Sequence, residues 1–413
     1  MILKQNNWID NSTLNTNFLM FLTVFLLCMA GLVALYSASI HVDAPFFKKV
    51  VGKQLIWILF GILSSLILVF TQKKILFNGA YIFYWFGIVL ILSPFFIGSS
   101  MAGTHRWLVL GPFHFQPSEF MKIFVILGVA RYLSKNDLVI SSFRSLIMPL
   151  LLVLLPLAIV LRQPDLGTSM IYILLVFPML IWAGARAYHL FIIIAPVISI
   201  LTAFNFYTFF IWVVFVLIVL YLSNEKIWLA IVLFVLNLSL GFLTPVLWNR
   251  LKPYQQNRIL TLFNVEADPQ GSGYQVIQSQ IAIGSGGIFG KGLGNGTQTH
   301  LKFLPEQHND FIFSVVGEEY GFIGVAAVLI LFFLLTVLLI NTAFRLRDRF
   351  SSLVVIGVAS VLFFHVVINV AMTIGLMPVT GLPLPFLSYG GSFIILCFIL
   401  IGVVWNLSME RSR

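Results

Sequence analysis

Charge is scarce in this sequence. Only 9% of its 413 residues are Asp, Glu, Lys or Arg, against about 25% in a soluble globular domain. Hydrophobic residues make up 60%, where roughly 45–50% is usual. No soluble fold of this length could hide that much apolar surface, which excludes the soluble enzyme classes. Cysteine is nearly absent. Cys28 and Cys397 both fall inside apolar runs, so neither a disulfide framework nor a thiolate metal cluster is implied. Tandem repeats and low-complexity tracts are missing, and no shift of composition marks off a second domain.

What is present is a series of apolar runs from near the first residues to near the last. A spanning helix needs about 20 mostly apolar residues. Runs of that kind begin near Asn17, Gly52, Gly79, Ser118, Arg144 and Gly167, and again near Phe311, Ser351 and Pro385. Between them, residues 187–248 hold about three helices at about 1.5 Å per residue, with breaks near Asn205 and Asn224–Lys226. The expected fold is therefore an all-α integral membrane protein. It is one polytopic domain over residues 1–413, with about 12 transmembrane helices and both termini on one side. The first run, Asn17 to Ser39, is of full spanning length and is expected to stay as the first helix instead of being cleaved.

The formal net charge is +10, yet the basic residues are scattered over short turns instead of forming a patch for nucleic acid. With a cytoplasmic amino terminus, the cytoplasmic turns collect Lys73, Lys74, Arg131, Lys135, Arg144, Arg186, Lys226, Arg345, Arg347, Arg349, Arg411 and Arg413, as the positive-inside rule expects. Lys48, Lys49 and Lys53 run against it.

One stretch is polar and glycine-rich. Residues 249–310, expected on the outer side, form a long functional loop. Its aliphatic and aromatic residues Tyr274, Val276, Ile277, Ile281 and Ile283 predict a short helix lying at the interface or dipping into the protein. Acids are scarce, and of the 14 in the chain six fall in or beside this loop: Glu266, Asp268, Glu306, Asp310, Glu318 and Glu319. Asp310 stands where the loop becomes a helix, so it suits either a helix cap or a half-desolvated general base whose pKa is raised. Glu119 and Lys122, three residues apart, would share a helix face as a buried ion pair or line a cavity. Asp165 reads as cap or turn chemistry beside Arg162. The Gly284–Gly292 stretch lacks P-loop spacing, and neither His300 nor His308 has a metal-ligand partner at helical spacing.

The segments RWLVLGPFHFQPSEFMK, RQPDLGTS, KPYQQNRI, GSGYQVIQSQIAIGSGGIFGKGLGNGTQ, FLPEQHNDFIFSVVGEEYGFIG and GLPLPFLSYGGS resemble the SEDS membrane glycosyltransferases of bacterial cell-wall synthesis, nearest to the elongation branch and next to the division branch. The match runs from about Met101 onward, interrupted in the middle. The resemblance implies polymerisation of lipid II at the outer face of the cytoplasmic membrane. A polyprenyl-diphosphate-linked glycan would be the donor, a lipid II hydroxyl the acceptor, and a class B penicillin-binding protein the transpeptidase partner. It places the catalytic aspartate on Asp310 and a charged structural pair beneath the cavity on Glu119 and Lys122. Arg106, Arg258 and Lys291 become candidates for the diphosphate, with Asp165, Glu306 and Glu318 as secondary candidates. No cofactor is fixed by the sequence. A divalent cation, Mg or Mn, assisting the leaving group would be held by Asp310 with Glu306 or Glu318.

Three departures from the family pattern stand out. The family has about ten spans, so residues 187–248 would contain an extra helix pair. His114 stands where some relatives carry arginine, and Asn309 replaces a common threonine. A lipid flippase and a non-catalytic scaffold of the wall-synthesis complex are the alternative functions. Transport needs alternating access and no general base.

Overall fold

The computed structural model describes residues 5–40, 45, 49–97, 99–101, 104–110, 113–135, 143–223, 227–251, 253–261, 271–300 and 303–409. Lys48, Lys226, Glu266, Asp268, Arg411 and Arg413 lie outside them, as does the side chain of Arg144.

The chain opens with three long helices, α1 (Gln5–Ala38), α2 (Val50–Val69) and α3 (Lys73–Leu92), followed by a single turn, α4 (Pro94–Ile97). A small antiparallel sheet follows, with β1 (Ser99–Met101), β2 (Thr104–Leu110) and β3 (Phe113–Phe115) side by side in that order. Its short strands had no apolar run to announce them. Next come α5 (Pro117–Leu133), α6 (Phe143–Arg162) and α7 (Leu166–Trp182), and then α8 (Ala187–Thr202), α9 (Phe206–Leu222) and α10 (Ile227–Arg250). Within the long loop lie α11 (Pro253–Leu260), α12 (Ser272–Ser285) and α13 (Thr297–His300). Three long helices close the order: α14 (Ile312–Arg345), α15 (Arg349–Thr373) and α16 (Gly391–Met409).

Eight of the described helices are long and apolar enough to cross a bilayer, and α7, α8 and α9 are shorter apolar helices. With α5, which carries Glu119 and Lys122 within its 17 residues, the expectation of about twelve passages holds. Three starts differ from the sequence reading, the first being α1, which begins at Gln5, ahead of the apolar run near Asn17. α3 begins at Lys73 because Lys73 and Lys74 form its first turn. α16 begins only at Gly391, because residues 384–388 form a turn closed by Leu384 N donating to Ser388 Oγ at 2.7 Å.

Burial sorts the helices. α15 is buried on nearly every side and packs against α5, α7, α14 and α16, as an all-round apolar helix at the centre of a bundle must. α8, α9 and α10 instead gather round a small cluster of their own, Ile192, Val216, Leu220 and Leu233. Polar groups tie these three together: Trp212 Nε1 donates to Ser199 Oγ, and Ser199 Oγ to Asn237 Oδ1, both at 2.8 Å. Hydrogen bonds of this kind hold helices together where lipid removes the hydrophobic drive.

The predicted helix of the long loop is α12, whose Val276 is buried with Leu304, Phe311 and Val379 and which packs on α14. α14 itself is interrupted at Gly321, whose φ of 63° and ψ of −158° no helix contains. The glycine-rich loop supplies the backbone partners that this break frees. Lys291 N donates to Glu318 O and Gly292 N to Glu319 O, both at 3.0 Å, while Phe322 N donates to Gly287 O at 2.9 Å. A broken helix is tolerated at membrane depth only where neighbouring protein satisfies it in this way.

Candidate active site

Four helices begin around one cavity of about 490 Å³. α5 brings Gln116 and Glu119, α7 brings Asp165 and Thr168, the segment entering α14 brings Asn309 and Asp310, and the start of α16 brings Gly390 to Phe393. Helix starts carry partial positive charge, so their convergence favours an anion, although the start of α7 is already capped by Asp165. The sheet adds Arg106, Trp107 and His114 to the wall.

The sequence folds this way for local reasons. Pro117, at the first position of α5, has the φ a helix start needs and lacks the N–H that would go unpaired there. Asp165 caps α7, accepting from Thr168 N at 3.1 Å and Thr168 Oγ1 at 2.9 Å. It also accepts from Gln116 Nε2 at 2.9 Å and lies 3.8 Å from Arg106 Nη1. The capping role expected for Asp165 is therefore present, and the same carboxylate braces two walls of the cavity.

Asp310 does not cap α14. Phe311 holds that position, with no side-chain capping bond. The Asp310 carboxyl instead faces the cavity, and no described side chain is seen to donate to it. Burial pushes its pKa from the usual carboxylate value up to about 7. Glu306 pushes the same way, and Arg258 and Arg106 pull against both. Glu306 is exposed, lines the cavity and accepts from Asn309 Nδ2 at 2.6 Å.

Glu119 and Lys122 form the expected pair, with Lys122 Nζ 2.8 Å from Glu119 Oε2 and both side chains almost wholly buried. Only Glu119 reaches the cavity wall. Lys122 Nζ also lies 2.9 Å from Nε2 of His365, and His365 Nδ1 lies 3.3 Å from Pro383 O. Those contacts fit one tautomer, in which Nδ1–H donates to the carbonyl and Nε2 accepts from the ammonium.

Lys291 and Glu318 are not brought to this cavity. Lys291 Nζ lies 2.8 Å from Glu318 Oε1 and donates to Thr297 Oγ1 at 2.8 Å. Glu318, fully buried, also accepts from Gln298 N, Thr299 N and Thr299 Oγ1. Both residues lock the glycine-rich loop to the break in α14. Among the described residues no group of three or more His, Cys, Asp or Glu is placed to hold a metal. Asp165 and Glu119 are buried and engaged by protein partners, which leaves Asp310 and the exposed Glu306, itself bonded to Asn309. Two carboxylates suit a cation that arrives with a diphosphate better than a resident one.

Sequence reading passed over His365, Asn369, Gln116 and Tyr389. Asn369 Nδ2 donates to Asp310 O at 2.8 Å and to Leu382 O at 2.7 Å, and Tyr389 N donates to His308 O at 2.8 Å. The available signal was a His and an Asn four residues apart in an apolar run, since polar side chains at membrane depth mark function by default.

Comparison with known proteins agrees with this architecture. The chain is 32% identical to peptidoglycan glycosyltransferase RodA of Treponema pallidum, covering 96% of this chain and 98% of that one. It is 33% identical to peptidoglycan glycosyltransferase MrdB of Escherichia coli K12, covering 99% and 97%. A solved chain from a peptidoglycan synthase complex aligns with a TM-score of 0.72 at 30% identity over 95% of this chain and 98% of that one. The crystal structure of the rod shape determining protein RodA of Thermus thermophilus aligns at 0.62 and 27% over 95% and 96%. The profile of the FtsW, RodA and SpoVE cell cycle proteins matches residues 17–211 and 192–413, and the chain belongs to that family.

Proposed function

We propose that this membrane protein is a peptidoglycan glycosyltransferase that polymerises lipid II into glycan strands at the outer face of the cytoplasmic membrane, in the service of cell elongation and shape. One observation carries the reading. A carboxyl group with a pKa of about 7 faces a cavity on which four helix starts and Arg106 converge, so a proton acceptor and an anion site share one chamber.

The reaction follows from that pairing. Asp310 takes the proton from a lipid II sugar hydroxyl as its oxygen attacks the anomeric carbon of the growing glycan. The bond to the polyprenyl diphosphate breaks, and the departing negative charge meets Arg106 and the helix starts, with Arg258 of α11, outside the cavity lining, adding positive field. Glu119 and Lys122 hold the cavity floor. A divalent cation, if one accompanies the diphosphate, would supply further positive charge beside Asp310 and Glu306. Lys291, committed to Glu318, acts by shaping the loop. The basic ends of α3, α5, α14 and α15 lie opposite the cavity, which supports cytoplasmic termini and an outward-facing site. The satellite cluster of α8–α10 supports an added helix pair within residues 187–248. A class B penicillin-binding protein is the proposed partner.

The test is polymerisation of labelled lipid II by the purified protein with its cognate transpeptidase, native against Asp310→Asn. Glycan ladders from the native complex that vanish with the folded variant support the reading. Equal ladders from both place the base elsewhere, with Glu306 next to test. No ladders from an assembled, correctly paired complex move the function to lipid transport or scaffolding.

A further inference from the structure

Two side chains of α15 stand one helical turn apart and reach the backbone that walls the cavity. His365 Nδ1 lies 3.3 Å from Pro383 O, and Asn369 Nδ2 lies 2.7 Å from Leu382 O. The same Asn369 nitrogen lies 2.8 Å from Asp310 O. A primary amide has two N–H groups, and here they go to two segments of chain that meet nowhere in sequence. Asn369 is completely buried on the most enclosed part of the bundle, so its own position is set by packing on all sides.

The two tethered segments also touch near the reacting group. Gly381, at a φ of 73°, is oriented so that a Cβ there would lie 3.4 Å from Asp310 Oδ2. The carboxylate therefore rests against the backbone next to Leu382. Tyr389 N, further along the same segment, holds His308 O at 2.8 Å. The Asp310 side chain is short, turned only about its Cα–Cβ and Cβ–Cγ bonds, so the place of its main chain limits the positions the carboxylate can reach.

We propose that Asn369 is a positioning residue for Asp310: its amide clamps the Asp310 carbonyl to the Leu382 wall and thereby aims the carboxylate across the cavity. The inference rests on the reading of Asp310 as the base. His365, bonded to the next carbonyl, stiffens the same wall one turn away.

Positioning and mere support give different kinetics. A group that only supports the fold changes the amount of folded protein and leaves turnover per folded molecule intact. A group that aims the base lowers kcat and spares substrate binding, because the binding groups stay in place. Asn369→Leu, similar in volume and without donors, should lower kcat for lipid II polymerisation by about 100-fold. Its KM should stay within about twofold of native. Asn369→Gln, which keeps both N–H groups on a longer stem, should recover part of the lost kcat.

Measurements are made on the full chain with its transpeptidase, with thermal unfolding in detergent beside each rate. A folded Asn369→Leu variant at native kcat overturns the proposal, as does one whose KM rises while kcat holds. If Asn369→Leu does not fold, Asn369→Ala, which also lacks both donors, decides in its place: folded with reduced kcat and native KM supports the proposal, folded with native kcat overturns it. Asp310→Asn is run in parallel. If it polymerises like the native chain, the reading of Asp310 falls and this inference with it. If it is inactive while the folded Asn369 variants turn over normally, the inference alone falls.

Discussion

Lys122 Nζ sits 2.8 Å from Glu119 Oε2, with the lysine side chain fully closed to solvent and the glutamate 4% exposed. Two opposite charges taken out of water together are close to balanced, but one left behind is not.

Lys122→Met or Glu119→Gln alone should each cost about 3–5 kcal/mol of stability, because the remaining charge loses its partner. The double variant should cost less than the sum of the two. Thermal unfolding of all four proteins in detergent checks this, and additive losses would show that the pair is not coupled. Lys122 also reaches His365, so Lys122→Met is expected to be the more damaging single change.

The break in α14 gives a second expectation. At Gly290, with a φ of 79°, a Cβ would sit 2.1 Å from Glu319 O, and at Gly321, with a φ of 63°, one would sit 2.4 Å from Gly290 N. Backbone strain alone costs about 1–3 kcal/mol at such positions, and neither clash can be relieved by a side chain turning away. Gly290→Ala and Gly321→Ala should both sharply lower the yield of monodisperse protein. Gly284→Ala, where nothing lies within 4 Å of the added carbon, should not. Size-exclusion profiles of the three variants check the contrast.

That break also shows where reading the sequence stopped. The helices were legible because long apolar runs have one use in a bilayer. Asp310, Glu119, Lys122 and Asp165 were legible because charged residues within or beside apolar runs are scarce enough that each needs a reason. Lys291 and Glu318 also stood as candidates, yet 27 residues apart in sequence they meet at 2.8 Å. Only the fold-back of the glycine-rich loop onto Gly321 brings them together, and no local propensity announces a long-range backbone pairing. Asn369 stayed hidden for the same reason, since its partner Asp310 lies 59 residues away. A neutral amide within an apolar run also looks like packing.

At the opposite end of the bundle, Asp348 caps α15, accepting from Ser351 N at 2.9 Å and Ser351 Oγ at 2.7 Å, and meets Lys73 at 3.0 Å. Although burial pushes the other way, its bonds to Ser351 and the Lys73 ammonium hold its pKa below the usual carboxylate value. A depressed folded-state pKa contributes stability above the unfolded value of 3.8, and that contribution is lost as pH falls through the folded value. Asp348→Ala should cost about 0.5–2 kcal/mol at neutral pH, the usual worth of a cap. The difference from native should shrink below pH 4, which unfolding curves at the two pH values would show.

Asp310 has the opposite sign. Its folded-state pKa is raised from 3.8 to about 7, so ionising it is harder in the folded protein than in the unfolded chain. The penalty is absent below pH 3.8, grows between there and pH 7, and is complete above. Asp310→Asn, which stays neutral throughout, should therefore unfold at a higher temperature than native at pH 8 and at nearly the same temperature at pH 4. With Asp310 as the proposed base, activity follows the same ionisation in reverse. The base works only when deprotonated, so kcat/KM of the native complex should rise with pH through about 7 and level off above it. The variant should lose about 10²–10⁴-fold and retain no such rise. One substitution thus separates the two roles of burial at this carboxyl group, gaining stability at the pH where it abolishes turnover. A variant less stable than native at pH 8 would show that Asp310 is held by favourable contacts to its charged form, not desolvated for proton transfer.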